Sequence, residues 1–388
     1  MIVPKITDGL YVVPFVARYK WGSAARELRR TADPELYKRM QERNNRRTYV
    51  VQKFYDVLLD KKEEPGFKGG ANGLKKAADE GRLDHDAANL SVAVSGGGLK
   101  VIAFFSFLET LREHRVPFTN YAGTSAGSIA ALFDRSGIDY NSVWKVLDEG
   151  LCKALLYSPK FRWWQAPLHG RRVQKFFAAS LPEGMETFAD LPGLYVTSVL
   201  ENSTHAVEAR TREFSTYEEV VFSSEFDPAM RLSEGVYSSM CLPVFKSLDF
   251  RGRQFTRVGE DGSFAPIIST LNGRTFDGGY WDNYPGNILT SLCDPSKDVV
   301  LKLYANYPGK KEVKRESIIQ KLVSRPVNLK MEDEYRMDSE RDRDANVVSW
   351  EIKGIEGVGL FDFDKLGLMV QAGRDSALLF MQKLGIAP

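Results

Sequence analysis

The chain has 388 residues, 43% of them apolar and 27% charged, so it is long and apolar enough for a sizeable core, and a wholly disordered chain is excluded. Lys and Arg number 53 against 51 for Asp and Glu, and the resulting formal charge of +2 leaves no global electrostatic case for a nucleic-acid partner. Cys152, Cys241 and Cys293 lie far apart without a CxxC pair, so neither a metal site nor a disulfide framework is implied, and a reducing, cytoplasmic setting is expected.

In chain order, Met1 to Lys20 holds an apolar stretch from Leu10 to Ala17, but Asp8 precedes it and Pro14 interrupts it, unlike a secretory leader. No apolar run is long enough to cross a bilayer. Arg18 to Arg47 is basic and reads as a helix with a solvated charged face. The glycine-rich stretch from Glu63 to Gly81 reads as a linker, which places a boundary near residue 88 between an N-terminal helical segment (1–88) and the main domain (89–388).

The β-rich run Leu90 to Ser95 is followed by Gly96, Gly97 and Gly98 and an apolar helix from Leu99 to Leu111. A second strand–turn–helix unit runs through Tyr121 and Ala122 into Gly123-Thr124-Ser125-Ala126-Gly127 and then an apolar helix over Ser128 to Phe133. Further strands are expected at Leu194–Leu200, His205–Ala209, Thr275–Asp277 and Val299–Asn306, and helices at Asp227–Met240 and Lys365–Leu384. Strands alternating with helices predict an α/β fold, a mainly parallel central sheet covered on both faces. Residues 309–346 carry dense mixed charge and read as a solvated helical insertion.

Gly123 to Gly127 fits G-x-S-x-G, in which small flanking residues let a strand turn sharply into a helix and hold Ser125 exposed above the helix N-terminus. Gly96-Gly97-Gly98 is a turn without Cβ atoms that can aim consecutive amides at a developing oxyanion, and a Cβ added on Gly97 would stand where the backbone must approach that oxyanion; Lys100 adds positive charge at the same mouth. A dinucleotide loop would need glycine at Val101, and a phosphate loop would need GKS or GKT; neither is present. Of His85, His114, His169 and His205, only the last two could follow Ser125 in a Ser–acid–His order, and neither has a supporting motif. Asp277-Gly278-Gly279 follows a short strand, so its carboxylate emerges at a strand end, where open α/β sheets place their sites.

Together SGGGLK, GTSAG and DGG resemble the patatin-like phospholipase family, and so do Ser238 to Phe245 (SSMCLPVF) and the Asn283 and Pro285 after DGG. The resemblance spans roughly Leu90 to Asn306; the sequence departs from the family pattern at Val101 and Ser106, where glycine is usual. It implies a three-layer α/β/α domain and a Ser/Asp dyad without histidine. Ser125 would be the nucleophile, Asp277 the base, and the amides of Gly96, Gly97, Gly98 and Ala126 the oxyanion hole. Gly123, Gly127, Gly278, Gly279 and Lys100 would support them, and no cofactor would be needed. The implied substrate is a phospholipid or lysophospholipid. A conditionally activated membrane-degrading effector of the same chemistry, switched by an activating factor, and a non-catalytic protein on the same scaffold are the alternatives. An acyl-carrier transacylase is disfavoured because Thr124 stands where histidine would be expected.

Between Glu149 and Glu183 no acidic residue occurs, while Arg162, Arg171 and Arg172 accompany Trp163 and Trp164. That composition predicts peripheral contact with a membrane surface beside the entrance of the site.

Overall fold

The computed structural model describes residues 34–59, 67–144, 170–204, 214–242, 247–259, 262–269, 273–305, 346–355, 358 and 363–386, apart from residues 68, 139, 142 and 281. Its main elements in order are α1 (Pro34–Leu59), α2 (Asn72–Asp79), β1 (Leu90–Val94), a 3-10 turn at Gly98–Lys100, α3 (Val101–Glu113), β2 (Phe118–Thr124), α4 (Ala126–Ser136), α5 (Gly170–Ser180), β3 (Leu194–Thr204), β4 (Phe214–Phe222), α6 (Leu232–Ser239), β5 (Gln254–Val258), β6 (Phe264–Ile268), β7 (Arg274–Asp277), α7 (Gly286–Leu292), β8 (Val299–Ala305), β9 (Val347–Ile352) and α8 (Leu366–Leu384).

One sheet runs β6-β5-β4-β3-β2-β1-β8-β9. Its centre, β3-β2-β1-β8-β9, is parallel, as strands with both faces covered should be. An antiparallel extension of β4, β5 and β6 lies beyond β3. In β1, Leu90, Val92 and Val94 enter the larger core with residues of α1, α3, α4, α6 and α8, whereas Ala93 enters a smaller one with Ile288 and Leu289 of α7. Alternate residues of one strand thus feed two cores, and the result is three layers, α/β/α.

The N-terminal helix belongs to the larger core. Val50, Val51, Phe54 and Tyr55 of α1 are fully buried, and the Phe380 ring meets those of Phe54, Phe67, Phe107 and Trp350 at centroid distances of 5.9, 5.6, 5.7 and 5.2 Å. The basic residues of α1 also tie it to the body: Arg46 donates to the His114 carbonyl at 2.9 Å, and Arg47 to the carbonyls of Asp86 and Ala88. The two departures from the family pattern are accommodated in α3: Val101 is buried in the larger core, and Ser106 donates to the Val370 carbonyl at 2.7 Å. Gly373 of α8 provides the complementary close approach, since a Cβ there would stand 2.2 Å from the Ala103 carbonyl oxygen.

Most expected elements occur close to their expected bounds. The helix expected over 227–240 starts only at Leu232, because Asp227 to Met230 form a turn closed by the Met230 amide on the Asp227 carbonyl. Strands β4, β5, β6 and β9 had no counterpart in the sequence reading. The strand expected at His205–Ala209 and the charged stretch at 309–345 lie outside the described residues.

Candidate active site

Strand β3 sets the geometry. Along one edge its first half pairs with β2, Thr197 opposite Thr124; its second half pairs with β7, Ser198 opposite Asp277. β2 and β7 therefore end against adjacent residues of the same strand. Ser125, one residue past Thr124, is brought to Asp277 although they lie far apart in sequence. The Ser125 hydroxyl donates to Asp277 Oδ2 at 2.7 Å.

The turn at Ser125 requires its neighbours to be small. Ser125 has φ 53° and ψ −124°, an unfavourable backbone for an L residue and a common feature of functional turns. A Cβ on Gly123 would lie 2.5 Å from Ser128 Cα, and one on Gly127 would lie 2.2 Å from the Val94 carbonyl oxygen, so both glycines let α4 start directly against β1 and β2. Under the turn, the hydroxyls of Thr124 and Thr197 hydrogen-bond at 2.5 Å, both fully buried.

Asp277 is 3% exposed. Its second oxygen accepts the Gly279 amide at 2.8 Å. Burial pushes its carboxyl up to about 7, against the downward pull of the Ser125 and Gly279 hydrogen bonds. Gly278 must be small because a Cβ would lie 2.7 Å from the Thr197 carbonyl oxygen, and Gly279 because a Cβ would meet Asn283 Oδ1 at 2.8 Å.

On the facing side, the single turn Gly98–Lys100 leads from β1 into α3, with Gly98 at φ 57°. The Gly96 amide donates to the Asn283 carbonyl at 3.2 Å. That corrects its expected part in the oxyanion hole, since its N–H is already engaged. Gly96 instead packs against Ser125 and Asn283: a Cβ there would lie 3.2 Å from Ser125 Cβ and 2.3 Å from Asn283 Oδ1. Gly97, by contrast, has φ 175° and room for a Cβ, whose nearest neighbour would be Lys100 Cβ at 3.4 Å. Among neighbouring protein atoms it is thus Gly96, and not Gly97, that has no room for a Cβ. Ala126 is the buried first residue of α4, next to Ser125.

The patatin-like phospholipase family matches residues 92–289, just over half of the chain, from within β1 to within α7, the span that carries these groups. The chain belongs to this family. No curated protein sequence matches it significantly. Among solved structures, the chain is similar to VipD from Legionella pneumophila, with 16% identity and a TM-score of 0.42, over 77% of this chain and 67% of that one. It is also similar to human GIVD cytosolic phospholipase A2, with 13% identity and a TM-score of 0.39, over 89% and 64% of the two chains. The type III effector protein ExoU, from Pseudomonas aeruginosa, matches with 14% identity and a TM-score of 0.35, over 76% and 53%. The chain thus spans between about half and two thirds of the length of these structures.

Among the described residues no histidine contacts Ser125 or Asp277. His85 precedes β1 and packs on the Tyr55 ring at 4.7 Å, and His114 closes α3, both at the end of the sheet away from Ser125. His169 and His205 lie outside the described residues, as do Arg162, Trp163 and Trp164. Arg171 and Arg172 fall in the first turn of α5. Further along that helix Phe177 is buried against Phe133 of α4, centroids 6.2 Å apart. Among the described residues no helix is long and apolar enough to cross a membrane.

Sequence reasoning missed three supports of the site: Thr197, Ser239 and the Cys241 carbonyl. Ser239 Oγ accepts the Ser125 amide at 2.8 Å, and the Cys241 carbonyl accepts the Asp277 amide at 3.0 Å. For Ser239 and Cys241 the signal was the small-residue run SSMC, visible as a pattern but silent about which atoms it held.

Proposed function

We propose that the chain is a lipid acyl hydrolase of phospholipase A or lysophospholipase type, working through a serine acyl-enzyme. The observation that carries this reading is the 2.7 Å hydrogen bond from Ser125, on its strained elbow, to the buried carboxylate of Asp277. Asp277 takes the Ser125 proton as Oγ attacks the ester carbonyl. The amides of Gly97, Gly98 and Ala126 receive the oxyanion. Collapse of the tetrahedral intermediate breaks the ester bond, and the proton on Asp277 passes to the leaving alcohol. Water then gives a proton to Asp277 and attacks the acyl-enzyme, and the fatty acid leaves as Ser125 regains its proton. A residue buried like Asp277 can fill both roles because a carboxyl held near neutrality accepts and returns protons easily.

Cys241 is no rival nucleophile, since burial pushes its thiol up to about 12. The protein would act in the cytoplasm, peripherally on membranes, through the basic and aromatic stretch between Glu149 and Glu183.

Fatty-acid release from phosphatidylcholine vesicles, with and without anionic lipid, tests this. Parent protein should release fatty acid, while Ser125→Ala and Asp277→Asn should each abolish release, with no further loss in the double variant. Trp163→Ala with Trp164→Ala should weaken vesicle binding but spare a soluble ester. A dyad variant that keeps its rate removes that residue from the mechanism, and equal loss on vesicles and soluble ester removes the tryptophans from membrane contact.

A further inference from the structure

The Ser125 amide has no natural partner in either element that flanks it. The β2 ladder ends at Thr124 opposite Thr197, and α4 begins at Ala126, so this N–H belongs neither to the sheet nor to the helix. A part-buried amide in that position would otherwise go unpaired, and it sits on a residue whose φ of 53° is already unfavourable. Ser239 Oγ accepts it at 2.8 Å. Two residues later, the Cys241 carbonyl accepts the Asp277 amide at 3.0 Å.

We infer that the turn Ser239-Met240-Cys241, at the end of α6, is a strut that spaces nucleophile and base, and that Ser239 is a positioning residue for Ser125. One end of the strut holds the backbone of Ser125, and the other holds the backbone of Asp277. The strut is fixed to α6 by the Met240 amide on the Val236 carbonyl and the Cys241 amide on the Ser238 carbonyl. α6 in turn lies deep in the larger core through Leu232, Val236 and Tyr237. The Ser125–Asp277 contact therefore rests on two separate supports: the β3 register below and this turn at the side. Loss of the Ser239 bond leaves the serine on the chain but frees its backbone to relax from the strained elbow, which lengthens the path for proton transfer. Misplacement on the order of 1 Å costs about a hundredfold in rate.

The neighbouring residue supplies an internal control. Ser238 is as fully buried as Ser239, in the same helix turn, but its hydroxyl has no hydrogen-bond partner among the described residues. Ser238→Ala and Ser239→Ala remove the same atom from adjacent, equally buried positions, and only one of them touches the site.

The inference rests on the dyad reading, so Ser125→Ala is assayed first: activity in that variant would fail the dyad reading itself, independently of Ser239. Parent, Ser238→Ala and Ser239→Ala are then compared by kcat and KM on a soluble short-chain ester and by thermal denaturation. Ser239→Ala should lower kcat about tenfold to a hundredfold with KM within about twofold. Ser238→Ala should match the parent in both. Ser239→Thr, which keeps the oxygen, should restore most of kcat, whereas Ser239→Val, of the same shape without it, should not. Equal kcat in the Thr and Val variants, equal losses from Ser238→Ala and Ser239→Ala, or a Ser239→Ala protein that no longer folds while Ser238→Ala does, would each overturn the strut. The last outcome would mean that the bond holds the domain together rather than aiming the nucleophile.

Discussion

Asp277 is buried to 3% exposure, yet as the proposed base it would have to be ionised to take a proton from Ser125. Those demands conflict, and the carboxyl is pushed up to about 7 as a result. Two outcomes follow with opposite signs. Activity needs the carboxylate, so kcat/KM on a soluble ester should fall as pH drops through about 7, well above the range where an ordinary aspartate would titrate. Stability runs the other way. A folded-state value above the unfolded one, about 3.9, means that the neutral acid favours folding; this contribution is complete below about 4 and is lost as pH rises through about 7. Asp277→Asn removes the titration, so its Tm should exceed the parent's at pH 8 and approach it near pH 4. A profile that shows no acid limb near neutrality, or a Tm difference independent of pH, would contradict the assignment of this carboxyl. Much of this residue-level chemistry was legible in GTSAG and DGG. The engaged Gly96 amide and the space at Gly97 were not, because which amide of three glycines is spent depends on Asn283, a partner in a distant segment.

Strand β3 acts as the ruler of the site, with Thr197 opposite Thr124 and Ser198 opposite Asp277. Thr197→Val keeps the shape but strips the hydroxyl bridge under Ser125, leaving Thr124 Oγ1 in a fully buried place without it. We expect a destabilisation of about 1–3 kcal/mol by denaturant unfolding, with an activity loss no larger than that of Ser239→Ala. A neutral effect on stability would mean the two hydroxyls are not a pair. The elements legible in advance were those whose local sequence matches their burial: β1 (LSVAV) and β8 (VVLKLYA) are apolar runs because both their faces are covered. Strand β4 was not, because Glu218 and Glu219 interrupt its sequence, Glu218 facing Arg257 of β5 at 3.6 Å. Strand β6 was hidden by Pro266, which fits there because β6 is an edge strand. Antiparallel pairing of this kind is made by distant partners, which a local pattern does not report.

At the scale of the whole molecule, a sequence boundary near residue 88 meets a core that crosses it. The basic face of α1 is what composition displays, whereas the burial of Val50, Val51, Phe54 and Tyr55 depends on α8 and β9 arriving from the far end of the chain. Each such side chain contributes about 1.5–3 kcal/mol when buried. We therefore propose that 34–59 is an integral part of the domain: deleting residues 1–60 should abolish the cooperative thermal transition or lower Tm by about 10 °C or more. An unchanged Tm would restore a separable N-terminal segment. The central claim, that Ser125 and Asp277 work as one unit, is tested most directly by labelling with a fluorophosphonate ester followed by peptide mapping. One adduct per chain is expected, on Ser125, formed fastest above pH 7 and slowed by orders of magnitude in Asp277→Asn. An adduct on another residue, or a Ser125 adduct formed equally fast without the Asp277 carboxylate, would contradict it.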